Sequence, residues 1–399
     1  MPRQHLLAFG SNPFGKCCPG ITDIIVRHPV DILPVLLKGN DCPIDEVKVM
    51  CGTWDRTLIR LRESELPTTK LVCDYIQPCI SEFTGNSQYY ALGFQEDAAE
   101  SLTARRIQAD AIDGYFGLKD IRSMLNADGA LAASQLTLLE SGSAIGIATR
   151  DEASSGLPGC VYAETIADLQ GDPTSCLYSL PGPPGTAYRI ASGLSHAILF
   201  SQSPNSSFNA ILGLGDNRHR AAMPRTEECK QPINTLARPA MIEALCGIDI
   251  SGVSAGGYRS AAWTEDGEAW IWGKGIEGLS DLDLPDSAHE ADEAGGGRIA
   301  QIAVGDDYEF VLSSDGILWT RGQSAYSVDW GHITCLLVQI VPSDSLGQLG
   351  ILGDTELKDF VAHPFFVAKE GGRLVPRYRV RTVECKRSST FVFCDSYDP

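Results

Sequence analysis

Short apolar runs, broken every few positions by glycine, proline or an Asp-Gly pair, recur along the chain. The clearest are two blocks of matching layout. Residues 250–273 read ISGVSAGGYRSAAWTEDGEAWIWG, and residues 299–322 read IAQIAVGDDYEFVLSSDGILWTRG. Each runs apolar strand, glycine turn, apolar strand, Asp-Gly turn, aromatic strand, glycine. Asp266-Gly267 and Asp315-Gly316 are hairpin dipeptides, because such a turn needs positive φ. The blocks therefore predict antiparallel strands and no long helices.

Weaker copies lie at residues 190–200 (IASGLSHAILF), 116–132, 47–61, 138–149 and 380–394. Their pivots are Gly52, Gly117, Gly142, Gly193, Gly256 and Gly305, with Cys385 where the glycine is lost. Repeats that each bury a face on the next are the mark of solenoids and propellers. Seven units fall within the propeller range. The expected fold is all-β: a seven-bladed β-propeller forming one domain over residues 1–399. The last unit lacks a Trp-Gly strand, while Leu6–Gly10 is such a strand with no unit before it. The simplest accounting places that strand in the C-terminal blade and closes the ring, so that neither leaves unpaired N–H and C=O groups.

Composition fits many turns: 40 glycines and 22 prolines in 399 residues. The net charge of −19 repels phosphate backbones, so bulk nucleic-acid binding is not expected. The 13 cysteines include no Cys-x-x-Cys, and adjacent Cys17 and Cys18 are poorly placed to bridge each other. Neither a signal-like stretch nor a membrane-length apolar run is found, which points to a reducing compartment, cytosol or nucleus.

The repeats resemble the regulator of chromosome condensation family. Ser192-Gly193-Leu194-Ser195-His196-Ala197-Ile198-Leu199 matches the family's opening, Ile271-Trp272-Gly273 its strand end, and Gly347-Gln348-Leu349-Gly350 its closing loop. Ala8-Phe9-Gly10-Ser11-Asn12 is similar to a further Trp-Gly strand. The family's histidine position reads Asp55, Asp120, Ile145, His196, Arg259, Tyr308 and Ser388, so one of these seven keeps the family residue.

Few motifs carry chemistry. Gly273-Lys274-Gly275-Ile276-Glu277-Gly278 formally matches a dinucleotide fingerprint, but the next residues, Leu279–Pro285, are acidic and broken by proline, not a helix. Ser195 and His196 are neighbours on a predicted strand and so point to opposite faces, which no nucleophile–base pair tolerates. His196 is expected to hydrogen-bond a neighbouring blade. Histidines at metal-ligand spacing are absent, so no metal or cofactor is expected. Cys17-Cys18 sits in an exposed-looking context beside Lys16. Arg218, His219, Arg220, Arg225, Lys230 and Arg238 form a basic stretch that reads either as a solvated loop or as a contact for an acidic partner. The acidic run over residues 281–293 reads as a solubilising loop.

The residues after each pivot should gather at one end of the propeller: Trp54, Asp55, Asp120, His196, Tyr258, Arg259, Asp306, Asp307, Tyr308 and Arg387. They read either as partner-binding residues or as groups that satisfy strand-end backbone. The expected role is a non-enzymatic protein-interaction scaffold. The family resemblance implies more specific partners. The fungal alpha-tubulin-suppressor branch binds a small metal-binding electron carrier in tRNA wobble-uridine modification and diphthamide synthesis. Alternatives are nucleotide exchange on a Ran-type GTPase, or a chromatin-associated adaptor that partners a demethylase-type oxygenase. The prototype exchange factor has a basic N-terminal tail, whereas this sequence begins close to a strand.

Overall fold

The computed structural model describes residues 3–12, 16–19, 21, 23, 25–38, 42–52, 56–63, 87–93, 104–107, 132–139, 141, 143–149, 158–164, 168, 175–183, 186–202, 209–225, 234–282, 298–323, 356–370, 373–386 and 389–397. Among these, six four-stranded antiparallel sheets form. We number them along the chain. Sheet 1 runs Ile44–Gly52, Arg56–Glu63, Ser87–Gly93, Arg105–Ile107. Sheet 2 runs Ala132–Leu138, Ala144–Thr149, Pro158–Ala163, Leu177–Ser179. Sheet 3 runs Ala187–Ser192, His196–Gln202, Ile211–Asp216, Thr235–Met241. Sheet 4 runs Ile250–Gly256, Arg259–Thr264, Ala269–Gly273, Ser280–Asp281, and sheet 5 runs Ile299–Val304, Tyr308–Ser313, Leu318–Gln323, Glu356–Ala362.

Sheet 6 takes strands from both ends of the chain, in the order Tyr378–Lys386, Ser389–Ser396, Gln4–Ser11, Ile25–Asp31. Leu6 pairs with Phe393 and Phe9 with Thr390, as the unpaired-edge argument requires. Both faces of the two central strands are covered, so their apolar runs are continuous, not alternating. Leu6, Phe9, Phe391, Phe393 and Val392 are enclosed, and Phe9 packs edge-on against Phe310 of sheet 5. A small hairpin, Val367–Glu370 with Arg373–Pro376, stands between sheets 5 and 6. The described helical elements are two short turns, Leu33–Leu37 and Glu243–Leu245.

First strands of successive sheets touch: sheet 3 against 4, 4 against 5, 5 against 6, and 6 against 1, while sheet 2 meets sheet 3. Of the expected unit at residues 116–132, all but its last residue, with Asp120 and the Asp128-Gly129 turn, lies outside the described residues, as does the Gly347–Gly350 motif.

The Asp-Gly turns form as predicted. Gly267 (φ +93°) and Gly316 (φ +86°) take the left-handed conformation that links the second and third strands. The pivot glycines owe their identity to space. A Cβ on Gly256 would overlap the Val304 carbonyl of the next sheet, and one on Gly305 would overlap the Tyr308 ring.

Candidate functional site

The turn between the first and second strands of each sheet sets the geometry here. Pairing of the second and third strands fixes one equivalent residue per sheet: Arg56 opposite Gly93, Ala144 opposite Ala163, His196 opposite Gly215, Arg259 opposite Gly273, Tyr308 opposite Gly322, and Ser389 opposite Gly10. Three sequence assignments are thereby corrected by one residue: Asp55 gives way to Arg56, Ile145 to Ala144 and Ser388 to Ser389. The turns in those repeats are not the three-residue step from a glycine pivot, and a one-residue slip moves a side chain to the other face.

At three successive positions the equivalent residue reaches into the next sheet. His196 Nε2 lies 2.8 Å from Ser260 Oγ, whose hydroxyl donates to the Ala221 carbonyl at 2.8 Å. The imidazole is therefore the donor, with its proton on Nε2. Trp272 Nε1 donates to the same carbonyl at 2.8 Å. Arg259 pairs with Glu309, which Arg321 also meets at 3.3 Å. Tyr308 Oη donates to the Ser389 carbonyl at 3.1 Å and lies 3.4 Å from Thr390 Oγ1. In each case the contact includes the residue immediately after the equivalent position of the next repeat: Ser260, Glu309 and Thr390.

Burial decides which of these can touch a partner. His196 and Tyr308 are 0% exposed, and Asp306 is also buried. His196 and Tyr308 fasten sheet to sheet and Asp306 is enclosed, so the place of all three in the expected partner-binding set is corrected. Desolvation lowers the His196 pKa to about 4, and pushes the Tyr308 phenol well above its usual range. Tyr258, Arg259 and Asp307 remain partly open. Trp54, Asp55, Asp120 and Arg387 lie outside the described residues.

Around the open residues stands a polar cluster. Lys274 Nζ meets Asp307 Oδ2 at 2.7 Å, and Arg259 Nε donates to the Lys274 carbonyl at 3.0 Å. Asp307 holds φ at +119°, a conformation that strains a non-glycine residue and recurs at functional loops. The His219 ring lies 4.4 Å from that of Tyr258, tilted by 49°, joining the basic stretch to the cluster. Arg218 is 69% exposed at its side chain and grips Asp216 through Nε and Nη2. Burial pushes the Asp216 carboxyl up, but hydrogen bonds from Arg218 and Ser195 outweigh it and leave the pKa lowered.

The residues of the formal catalytic motifs go elsewhere. Ser195 Oγ donates to Asp216 at 3.3 Å while the His196 ring turns to Ser260, so the neighbours do not meet. The Gly273–Gly278 segment is the loop between two strands of sheet 4, with Gly273, Gly275 and Gly278 all at positive φ. Cys17 and Cys18 are buried, which corrects their exposed reading. Asn12 Oδ1 accepts from both their amides, at 2.9 and 2.7 Å, and its amide group donates to the carbonyls of Cys18, Ile21 and Asp23. Asn12 following Gly10-Ser11 was the signal for that closed loop. Among the described residues, no cluster of three or more His, Cys, Asp or Glu could hold a metal, and no helix is long and apolar enough to cross a membrane.

No protein-family model matches the chain. A stretch of 152 residues is 32% identical to the ultraviolet-B receptor UVR8 of Arabidopsis thaliana, covering 36% of this chain and 31% of the receptor. Another of 94 residues is 36% identical to the Homo sapiens E3 ubiquitin-protein ligase HERC2, covering 22% of this chain and 2% of the ligase. The matches thus span under a third of each relative. Among solved structures, Prp20p of Saccharomyces cerevisiae aligns with a TM-score of 0.50 at 11% identity, over 100% of this chain and 92% of that one. Human WBSCR16 aligns with a TM-score of 0.51 at 11% identity, over 99% and 100%. At such identity the structural likeness speaks for the fold alone. Repeat motifs, sheet order and structural likeness agree: the chain has the all-β fold of the propellers of the regulator of chromosome condensation type, and parts of it are similar in sequence to proteins that carry such repeats.

Proposed function

We propose that this propeller is a non-enzymatic platform for protein partners in the cytosol or nucleus. The observation that carries the reading is how the polar residues at the strand turns are used. The buried ones (His196, Tyr308, Glu309) are spent on joining sheets, whereas Tyr258, Arg259, Lys274, Asp307 and Arg218 form an open rim on that rigid base. Aromatic and arginine side chains on a rigid frame are what interface hot spots use. The more specific partner, by family resemblance, is a small metal-binding electron carrier serving tRNA wobble-uridine modification and diphthamide synthesis. Titration calorimetry with such a carrier should give saturable binding that Tyr258→Ala weakens. Absence of binding removes that partner.

A second reading, nucleotide exchange on a Ran-type GTPase, is favoured by likeness in fold to Prp20p, whose structure was described together with its binding to Gsp1p and histones. Release of fluorescent GDP from Ran separates the two. The platform reading expects the spontaneous rate; catalytic acceleration would replace it with exchange.

A further inference from the structure

One face of sheet 1 is charged although much of it is enclosed: Arg60 and Tyr89, opposite each other on neighbouring strands, are each 5% exposed. Val47, Val49, Ile59 and Leu61 of the first two strands join the core cluster that also holds Val380, Val383 and Phe393 of sheet 6. Side chains alternate along a strand, so the residues between them turn to the opposite face. There Glu46 stands across from Arg62 and Lys48 across from Arg60. Side chains so paired are near neighbours. From the first strand of sheet 6, Glu384 and Lys386 act on the same lysine.

The two carboxylates are already engaged. Glu46 accepts from Arg60 Nη2 at 2.8 Å through Oε1 and meets Arg62 Nη2 at 3.3 Å through Oε2, while Glu384 meets Lys386 at 3.9 Å. Four cations, Lys48, Arg60, Arg62 and Lys386, thus stand against two carboxylates in a chain whose net charge is −19.

Two donors are left over. Arg60 Nε is buried without a hydrogen-bond partner, and Lys48 forms no ion pair among the described residues. On an exposed side chain a missing partner signifies nothing, because water takes its place. Here it is costly: an enclosed N–H keeps its desolvation penalty, and a half-buried ammonium lacks compensation. Burial, reinforced by Lys386 and Arg60, lowers the Lys48 pKa to about 8 against the pull of Glu384 and Glu46. At pH 7 the ammonium still prevails, so the excess of positive charge remains.

We propose that Lys48 and Arg60 form a binding site for a small oxyanion, the phosphate or carboxylate group of a metabolite-sized ligand. The anion accepts from Lys48 Nζ and from Arg60 Nε, and such charge-assisted hydrogen bonds are the strong ones. Size selects the occupant. With Lys48 half-buried and Arg60 5% exposed, a small ligand reaches both where a folded partner does not. The site belongs to sheet 1 and not to the rim residues of sheets 3 to 5, so it stands or falls independently of the platform reading.

The test is equilibrium dialysis of the full chain at pH 7 against labelled sulfate and, separately, labelled acetate. The parent should show saturable uptake. K48M, which keeps an apolar stem and removes the charge, should weaken it about tenfold or more. K369A, which removes an exposed lysine elsewhere, should bind as the parent does. Sulfate stays dianionic from pH 7 to 9, whereas Lys48, facing Glu384, Lys386, Arg60 and Glu46, loses its proton over that range. Parent uptake of sulfate should therefore fall with rising pH, more steeply than any residual uptake by K48M. Without anion, K48M should melt at or above the parent temperature, because an uncompensated charge has been removed. A lysine with a purely packing role would instead lower the melting temperature and leave uptake unchanged. Preference for sulfate marks a phosphate-type ligand and preference for acetate a carboxylate; either upholds the site. Uptake of neither anion, equal uptake by K48M, or equal pH dependence of the two proteins overturns it. So does a Glu-rich peptide that binds through Lys48 more tightly than either anion.

Discussion

Replacing His196 by glutamine probes the contact between sheets 3 and 4. The ring is fully enclosed, donates from Nε2 to Ser260, and has its pKa lowered from 6.5 to about 4, chiefly by desolvation. A histidine whose folded pKa is depressed stays neutral in the native state while the unfolded chain takes up a proton. Its contribution is therefore full above pH 6.5 and falls as pH drops from 6.5 toward 4. For these two values, native stability at pH 5 should lie about 2 kcal/mol below that at pH 7 on account of this residue alone. Glutamine places an amide near the Nε2 position and cannot titrate. At pH 7 the variant should be less stable by about 1 kcal/mol, the net worth of one imperfectly replaced hydrogen bond. At pH 5 the deficit should vanish or reverse. The assay is urea unfolding of both proteins from pH 5 to 8, followed by tryptophan fluorescence. Taking the difference between them at each pH cancels the titration of the many other acidic groups. A gap that is the same at pH 5 and pH 7 would refute the reasoning.

Three further outcomes are expected. Gly256→Ala and Gly305→Ala should each destabilise by about 1–3 kcal/mol through forced overlap, whereas Gly247→Ala, at φ +81° in open space, should lose only about 1 kcal/mol from backbone strain; equal melting shifts for all three would sink the packing argument. Deleting residues 1–12 removes a strand paired on both sides, so the truncated protein should lose cooperative unfolding instead of shedding a loose tail; a melt matching the parent would contradict this. A double-mutant cycle on Arg259→Met and Glu309→Gln should give a coupling of about 1–3 kcal/mol, because Glu309 is 2% exposed at its side chain and its charge is held by Arg259 and Arg321; additive effects would show the pair to be energetically idle.

The strong repeats were legible because each carries its own punctuation. Asp-Gly turns and terminal glycines fix strand ends, and the lone Leu6–Gly10 strand pointed to its C-terminal partner. The degenerate repeats were harder. Where the glycine pivot is replaced, as at Cys385, nothing in the composition of the turn announces its length, so the equivalent residue was misplaced by one. For the same reason polar character alone could not separate His196 and Tyr308, buried between sheets, from Tyr258 and Asp307, which keep an open side. Cys17 and Cys18 were read as exposed from their local context; Asn12, bonded to their amides, fixes the loop, and their side chains join the core cluster, with Cys18 Sγ donating to the Ala8 carbonyl.

The sharing of sheet 6 between the two ends of the chain has a consequence for biosynthesis. The Gln4–Ser11 strand leaves the ribosome long before its partner Ser389–Ser396 is made. Until then the apolar run Leu6-Leu7-Ala8-Phe9 keeps one hydrogen-bonding edge open, the kind of template on which nascent chains aggregate. Pairings of such sequence separation also form slowly. Sheets 3 to 5 can assemble during elongation, but sheet 6 must wait for the C-terminal strands to emerge. The nascent protein should therefore depend on a chaperone that shields this strand until Ser389–Ser396 emerges.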